Sequence, residues 1–156
     1  MPDKTISPYG SWDSPITAEL ITQGGLRLGE VRVDGSDIYW LEGRPEESGR
    51  HVVVRRTSDG SVIDINPTPF NARNAVHEYG GASFAVRDGV VYFANWDDQR
   101  IYRSAEGRTT VVTDEPAIER GDRYADLTVS NDSRWILAVR ERHHPDREAD
   151  YELGIV

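Results

Sequence analysis

From Leu28 onward, apolar and polar positions alternate in short runs, and each run ends in a turn built from Asp, Gly, Ser or Asn. Alternation with a period of two is the mark of a half-buried β-strand, and Asp-Gly between two such runs marks a hairpin. Glu30–Val33 leads through Asp34-Gly35 into Ile38–Leu41. After a charged loop come His51–Arg56, the turn Ser58-Asp59-Gly60, and Val62–Ile65. A second set runs Ser83–Val86, Asp88-Gly89, Val90–Ala94, then Asp97-Asp98, Arg100–Arg103, Glu106-Gly107 and Thr109–Val112. A third has Asp126–Val129, Asn131-Asp132-Ser133, Arg134–Val139, a charged loop, and Tyr151–Val156.

These sets repeat. Tyr39 and Tyr92 stand 53 residues apart, and Tyr92 and Leu137 stand 45 apart. Repeats of about 40–50 residues with four short strands each are the signature of propeller blades. A four-stranded antiparallel blade cannot bury both faces alone, so blades stack around an axis and share cores, and a closed ring takes roughly 4–8 of them. A small open sandwich or barrel also accommodates evenly spaced strands, but here the turn residues repeat with the strands, which favours the propeller. The expected fold class is therefore all-β: a partial β-propeller of about three four-stranded blades, over 28–68, 80–114 and 124–156, with the outer strand of the third missing.

The first 27 residues follow a different pattern. Met1 to Trp12 are rich in Pro, Gly and Ser and read as an arm. Ser14-Pro15 offers an N-cap followed by proline at the first helical position, Ile16, Leu20 and Ile21 share a helical face, and Gly24-Gly25 supplies a stop. A short N-terminal helix of about two turns is expected there.

The chain has 156 residues, enough for one ordinary domain. Its 18 Lys+Arg against 27 Asp+Glu give a net charge of −9, which argues against a nucleic-acid partner, because such a protein needs a basic face for phosphates. With no cysteine there is no disulfide framework, no thiolate metal site and no thiol nucleophile. No apolar run approaches the roughly 18 residues of a membrane span, and the N-terminus lacks a signal peptide's apolar stretch. The expectation is a soluble, cytoplasmic chain with neither nucleic-acid nor membrane partner and no cofactor.

Candidate chemistry is sparse. His143-His144, beside Pro145-Asp146 and Glu148, are metal-ligating residue types, but adjacent side chains on an extended strand point to opposite faces, so a polar loop is the expectation. Glu46-Glu47, Asp97-Asp98 and Glu148–Asp150 lie in loops rich in Gly, Asn or Arg and read as solvated charge rather than as a paired-carboxylate acid and base. Trp40 and Trp135 fall within strand-like runs and are expected between blades, whereas Trp12 and Trp96 fall outside them. The densest stretch is Arg73–Gly81, which joins the first two blades. Its hydrogen-bonding groups suit a spacer between blades. Its functional reading turns Arg73, His77, Glu78 and Tyr79 toward a tunnel or substrate chamber. The pair Gly80-Gly81 before Ser83–Val86 implies a positive φ or a very close approach to a neighbour, with Tyr79 packing on the first blade.

Tyr9-Gly10-Ser11-Trp12, Ser14–Thr17, Tyr39-Trp40-Leu41-Glu42 and Arg44–Glu47, together with Val76-His77-Glu78-Tyr79-Gly80-Gly81, Asp97–Tyr102 and Arg123–Asp126, carry a family resemblance in their order and spacing. The chain resembles, from about Tyr9 to Val156, the N-terminal propeller of prolyl-oligopeptidase-family (S9) serine peptidases, in the bacterial dipeptidyl aminopeptidase or acylaminoacyl-peptidase-like branch. It departs from them at Ala82, where many relatives carry a third glycine, and at Arg142-His143-His144, where an acidic residue before histidine is usual. The resemblance implies that the intact protein pairs the propeller with a C-terminal α/β-hydrolase domain bearing a Ser-Asp-His triad, and that the propeller admits small peptides to it. Neither that domain nor the remaining blades are in this sequence. There is no Gly-x-Ser-x-Gly elbow, since Gly81-Ala82-Ser83-Phe84-Ala85 ends in alanine. The chain is thus expected to be non-catalytic, with peptide as its ligand in the intact enzyme. The alternative is a stand-alone propeller-like interaction module completed by oligomerisation.

Overall fold

A computed structural model describes residues 6–11, 13–18, 20 and 24–156. Among the described residues, eleven strands form three antiparallel sheets. The first sheet holds β1 (Arg27–Asp34), β2 (Asp37–Arg44), β3 (Arg50–Arg56) and β4 (Val62–Asp64) in sequence order. The second holds β5 (Phe84–Arg87), β6 (Val90–Ala94), β7 (Ile101–Ala105) and β8 (Arg108–Val111). The third holds β9 (Asp122–Val129), β10 (Ile136–Arg142) and β11 (Asp150–Ile155). Every strand-like run in the sequence is a strand, and the sheets have four, four and three strands. β1 lies against β5 and β5 against β9, so the first strand of each sheet neighbours the first strand of the next. This is how blades of a propeller stack.

Alternation decides which side of each sheet meets which neighbour. In the second sheet, Phe84 pairs with Phe93 and Phe93 with Tyr102, so they share one face, while Ala85 and Tyr92 pair on the other. The first face, with Val91, packs on Tyr39, Leu41 and Val53 of the first sheet. The second, with Ile101, packs on Tyr124, Leu127, Ile136 and Ala138 of the third. Phe70, from the long connection between the first two sheets, edges against Phe93 at 6.0 Å and Tyr102 at 4.9 Å, plugging the first junction at its rim.

Polar groups fix the stacking at both ends of β5. At one end the hairpin turns form a relay: Asp34 accepts the backbone N–H groups of Asp88 and Gly89 at 3.2 and 2.6 Å, and Asp88 accepts the Ser133 hydroxyl at 2.9 Å. The repeated turn residues thus join each blade to the next. At the other end, Glu30 accepts the Ser83 N–H at 2.6 Å from the first sheet, and Asp126 accepts the Ala82 N–H at 3.0 Å from the third. Glu30 and Asp126 both have positive φ, 50° and 56°, where β1 and β9 shift register against their partners. A bulge re-aims one side chain across the sheet face, and here each aims a carboxylate at the entry to β5. Burial pushes the Glu30 carboxyl above its ordinary range, against the backbone hydrogen bonds that favour its charged form.

Details of the N-terminal arm and of Trp135 differ from the sequence reading. Ala18 and Leu20 are helical, but part of the expected helix and Trp12 lie outside the described residues. Thr17 stands at the start of this turn, its hydroxyl accepting the Leu20 N–H at 3.1 Å, three residues on, and the Ser14 hydroxyl accepts the Ile16 N–H at 3.1 Å. Trp135 precedes β10 and is half exposed, because the turn Asn131–Arg134 extends one residue further than alternation implied. Trp40 shares a face with Ile38, turned away from the second sheet, and its indole N–H donates to Glu42 at 2.9 Å. Among the described residues no helix is long and apolar enough to cross a membrane.

Candidate functional site

The connection from β4 to β5 builds the site, and buried amides set its path. Ala72 donates its N–H to the His51 carbonyl at 2.9 Å and Arg73 to the Ala94 carbonyl at 3.0 Å, tying the segment to both flanking sheets. The buried Gln99 side chain accepts the Ala75 N–H at 2.8 Å. Buried Asn74 closes the loop that follows, its Oδ1 accepting the N–H of Val76 at 3.3 Å and of Gly81 at 3.0 Å. Closing so tight a loop places His77, Glu78 and Gly80 at φ of 54°, 64° and 80°. Two of these are not glycine, and such conformations cost free energy that the surroundings must offset. At Gly80 a side chain is excluded twice over, by its φ and by the Asn74 carbonyl 2.9 Å from where a Cβ would stand. At Gly81 the constraint is close approach, since a Cβ would meet that of Ala125 in β9 at 3.0 Å.

What offsets the strain comes from the third sheet. Glu141 of β10 is buried, and its carboxylate accepts the strained His77 backbone N–H at 2.5 Å. Arg123, at the start of β9, stands 3.1 Å from the same carboxylate and donates to the Ala75 carbonyl at 2.9 Å and to Glu78 at 2.6 Å. His143 completes the set through a short contact of its Nε2 with Glu141. Arg123 and Glu141 pair across the β9–β10 ladder, one on each strand and on the same face. The His77 ring stacks on Tyr151 of β11 with centroids 4.5 Å apart. A buried carboxylate needs such partners, because without them its desolvation would unfold the site or protonate the group.

The four sequence-predicted residues therefore divide. His77 and Glu78 enter one cluster with Arg123, Glu141 and His143, and the Arg123 guanidinium holds the exposed Glu78 carboxyl below its ordinary range. Arg73 lies apart from this cluster, its guanidinium carbon 4.3 Å from the centre of the Trp96 ring. Tyr79 is 96% exposed, so it does not pack on the first blade, because the left-handed turn at Glu78 and Gly80 swings it outward. Among the loop carboxylates, Asp98 is structural rather than solvated: it accepts from Asn95, the Arg100 N–H and the Tyr102 hydroxyl, the last at 2.6 Å.

Glu78, Glu141 and His143 offer ligand atoms within 4.8 Å of one another, a spacing that could hold a cation. Arg123 already fills that role, since it touches both carboxylates. The arrangement suits positioning and recognition: an anchored, strained turn presents an exposed carboxylate beside an exposed imidazole. Beside it a cleft of about 790 Å³ opens between the 112–118 connection and the third sheet, lined by Tyr124, Arg140, Arg142, His143 and Ile155. Sequence reasoning missed Glu141 altogether and saw in Arg123 only a motif residue. In Arg140-Glu141-Arg142 alternation gives no sign that the carboxylate is the buried member.

No protein-family model and no curated protein matches the chain. Solved structures do. The chain is 37% identical to a puromycin-hydrolyzing peptidase of Mycobacterium tuberculosis, with a TM-score of 0.79 over 97% of this chain and 24% of that one. It is 30% identical to a puromycin hydrolase, with a TM-score of 0.80, covering 97% of this chain and 25% of the other. A variant of puromycin hydrolase complexed with PGG matches equally well, at 30% identity and a TM-score of 0.80 over 96% of this chain and 24% of that one. The chain thus spans about a quarter of the length of each.

Proposed function

On the footing that this chain belongs with the prolyl-oligopeptidase-type (S9) serine peptidases, by its motifs and by its fold, we propose that its three sheets are consecutive blades of the propeller that gates peptide access to such an enzyme's active site. The chain itself carries no triad and acts by admitting and orienting substrate for a hydrolase domain supplied by the rest of the protein. The observation that carries this reading is the likeness in fold, over nearly the whole chain, to one quarter of puromycin-hydrolysing enzymes. Two open sheet faces support it. Leu28, Val33 and Ile38 share an exposed outer face of the first sheet, and Tyr151, Leu153 and Ile155 share one on the third. Apolar faces of this kind belong against further blades.

Within this reading Glu78 is the substrate contact. Its side chain is 74% exposed, only its Oε1 is engaged by Arg123, and a peptide's ammonium group is the natural partner for the rest of the carboxylate. His77 and Tyr79 flank it on the same turn. The test is a chimera in which residues 27–156 replace the matching blades of the mycobacterial puromycin-hydrolysing peptidase. Retained hydrolysis of a short aminoacyl substrate within about tenfold, with folded proteins still excluded, is the expected result. A chimera that folds yet loses hydrolysis, or that admits folded proteins, overturns the proposal.

A further inference from the structure

The Glu78 cluster leaves one group of cations unused. Arg73 and Arg120 both lie over the Trp96 ring, with guanidinium carbons 4.3 and 4.9 Å from its centroid. Neither guanidinium is within salt-bridge distance of a carboxylate among the described residues. Among the acids close by, Glu78 gives one oxygen to Arg123, and Asp98 is taken by Asn95, Arg100 and Tyr102. Arg120 acts on Glu78 only through space. His51 lies within reach of the same charge but carries none of it: burial first, then Arg73 and Arg27, hold its pKa below the ordinary value, and its buried Nδ1 has no partner. In a chain of net charge −9, two arginines without an ion pair among the described residues share one aromatic ring. A guanidinium held over an indole ring keeps N–H groups free to donate, and a guanidinium edge is the geometry that binds carboxylates in pairs.

We propose that Arg73 and Arg120, held on Trp96, form a carboxylate-binding site for peptides. Three separate segments build it: Arg73 from the β4–β5 connection, Trp96 from the β6–β7 turn, and Arg120 from the β8–β9 connection. The site stands on these residues alone and requires neither Glu78 nor the peptidase reading, so either can fail without the other. A peptide carboxylate reaches it from the C-terminus or from an Asp or Glu side chain.

Ligand-observed saturation-transfer NMR on the 156-residue chain tests it, with triglycine, triglycine amide and a C-amidated peptide containing one aspartate as probes. Saturation of triglycine but not of its amide is expected, and it is lost in Arg73→Gln and in Arg120→Gln, each weakening binding about tenfold or more. Saturation of the aspartate peptide to the same extent assigns the site to side-chain carboxylates as well. Near-ultraviolet circular dichroism unchanged in both variants confirms that the loss is local. Equal saturation of triglycine and its amide, binding unaffected by either substitution, or no saturation with a folded chain overturns the proposal.

Discussion

Two junctions hold the second sheet and its entry segment in place, and they are made of opposite materials. Between the first and second sheets, Tyr39, Leu41 and Val53 meet Phe84, Val91 and Phe93 in an apolar layer. Where the entry segment crosses to the third sheet, the contact is a buried carboxylate with an arginine, a histidine and a strained backbone N–H. The apolar layer gains free energy from area removed from water and tolerates any shape that fills it. The charged junction gains little net free energy, because desolvation cancels much of the attraction, but it accepts only one geometry. Sheets can therefore stack through the first kind of contact, whereas a strained, exposed turn held in one orientation needs the second.

Breaking each junction separates the two. Phe93→Ala should cost about 3–5 kcal/mol in urea denaturation, through lost contact and a cavity between the sheets. Glu141→Ala should cost about 3 kcal/mol, because it takes from Arg123 its buried carboxylate partner and leaves the His77 N–H without an acceptor. The two differ in what survives. Phe93→Ala should leave fast-exchanging amides confined to its own cavity, whereas Glu141→Ala should expose the 74–81 amides to hydrogen exchange well before global unfolding. Equal protection of 74–81 in both variants would break the comparison.

A smaller effect is expected from Gly80→Val, at about 1–3 kcal/mol, from the positive φ and the Asn74 carbonyl. Acidification sharpens the picture at the first sheet. Burial holds His51 below its ordinary value of 6.5, so the unfolded chain takes up its proton first. Its contribution is present above that value and is lost as pH falls toward the folded pKa. The melting temperature should therefore fall modestly from pH 7 toward pH 5, and less so in His51→Gln. The smallest change belongs to Tyr39→Phe: the Tyr39 hydroxyl is buried without a partner, so removing it should leave stability equal or slightly higher.

Most of the apolar architecture was legible because alternation and burial have the same cause. Phe84, Val91 and Phe93 alternate because one side of the sheet meets a neighbour, and Asp34, Asp88 and Ser133 recur because each turn holds the next. Gly80-Gly81 announced a backbone constraint that the fold resolves into one positive φ and one close approach. The charged junction was not legible. Glu141 lies 64 residues from the N–H it accepts, and nothing local distinguishes it from its neighbouring arginines. Trp135 and Tyr79 misled for a related reason: large rings suggest packing, yet where each lies is set by the turn that carries it.

The most direct test of the account is a double-mutant cycle between Glu141 and Arg123, measured by urea denaturation of Glu141→Gln, Arg123→Met and the pair. If the two form the anchor that holds the 75–78 turn on the third sheet, the double variant should be more stable than the sum of the single losses implies, by about 1–3 kcal/mol. Losses that add to within about 0.5 kcal/mol would contradict it.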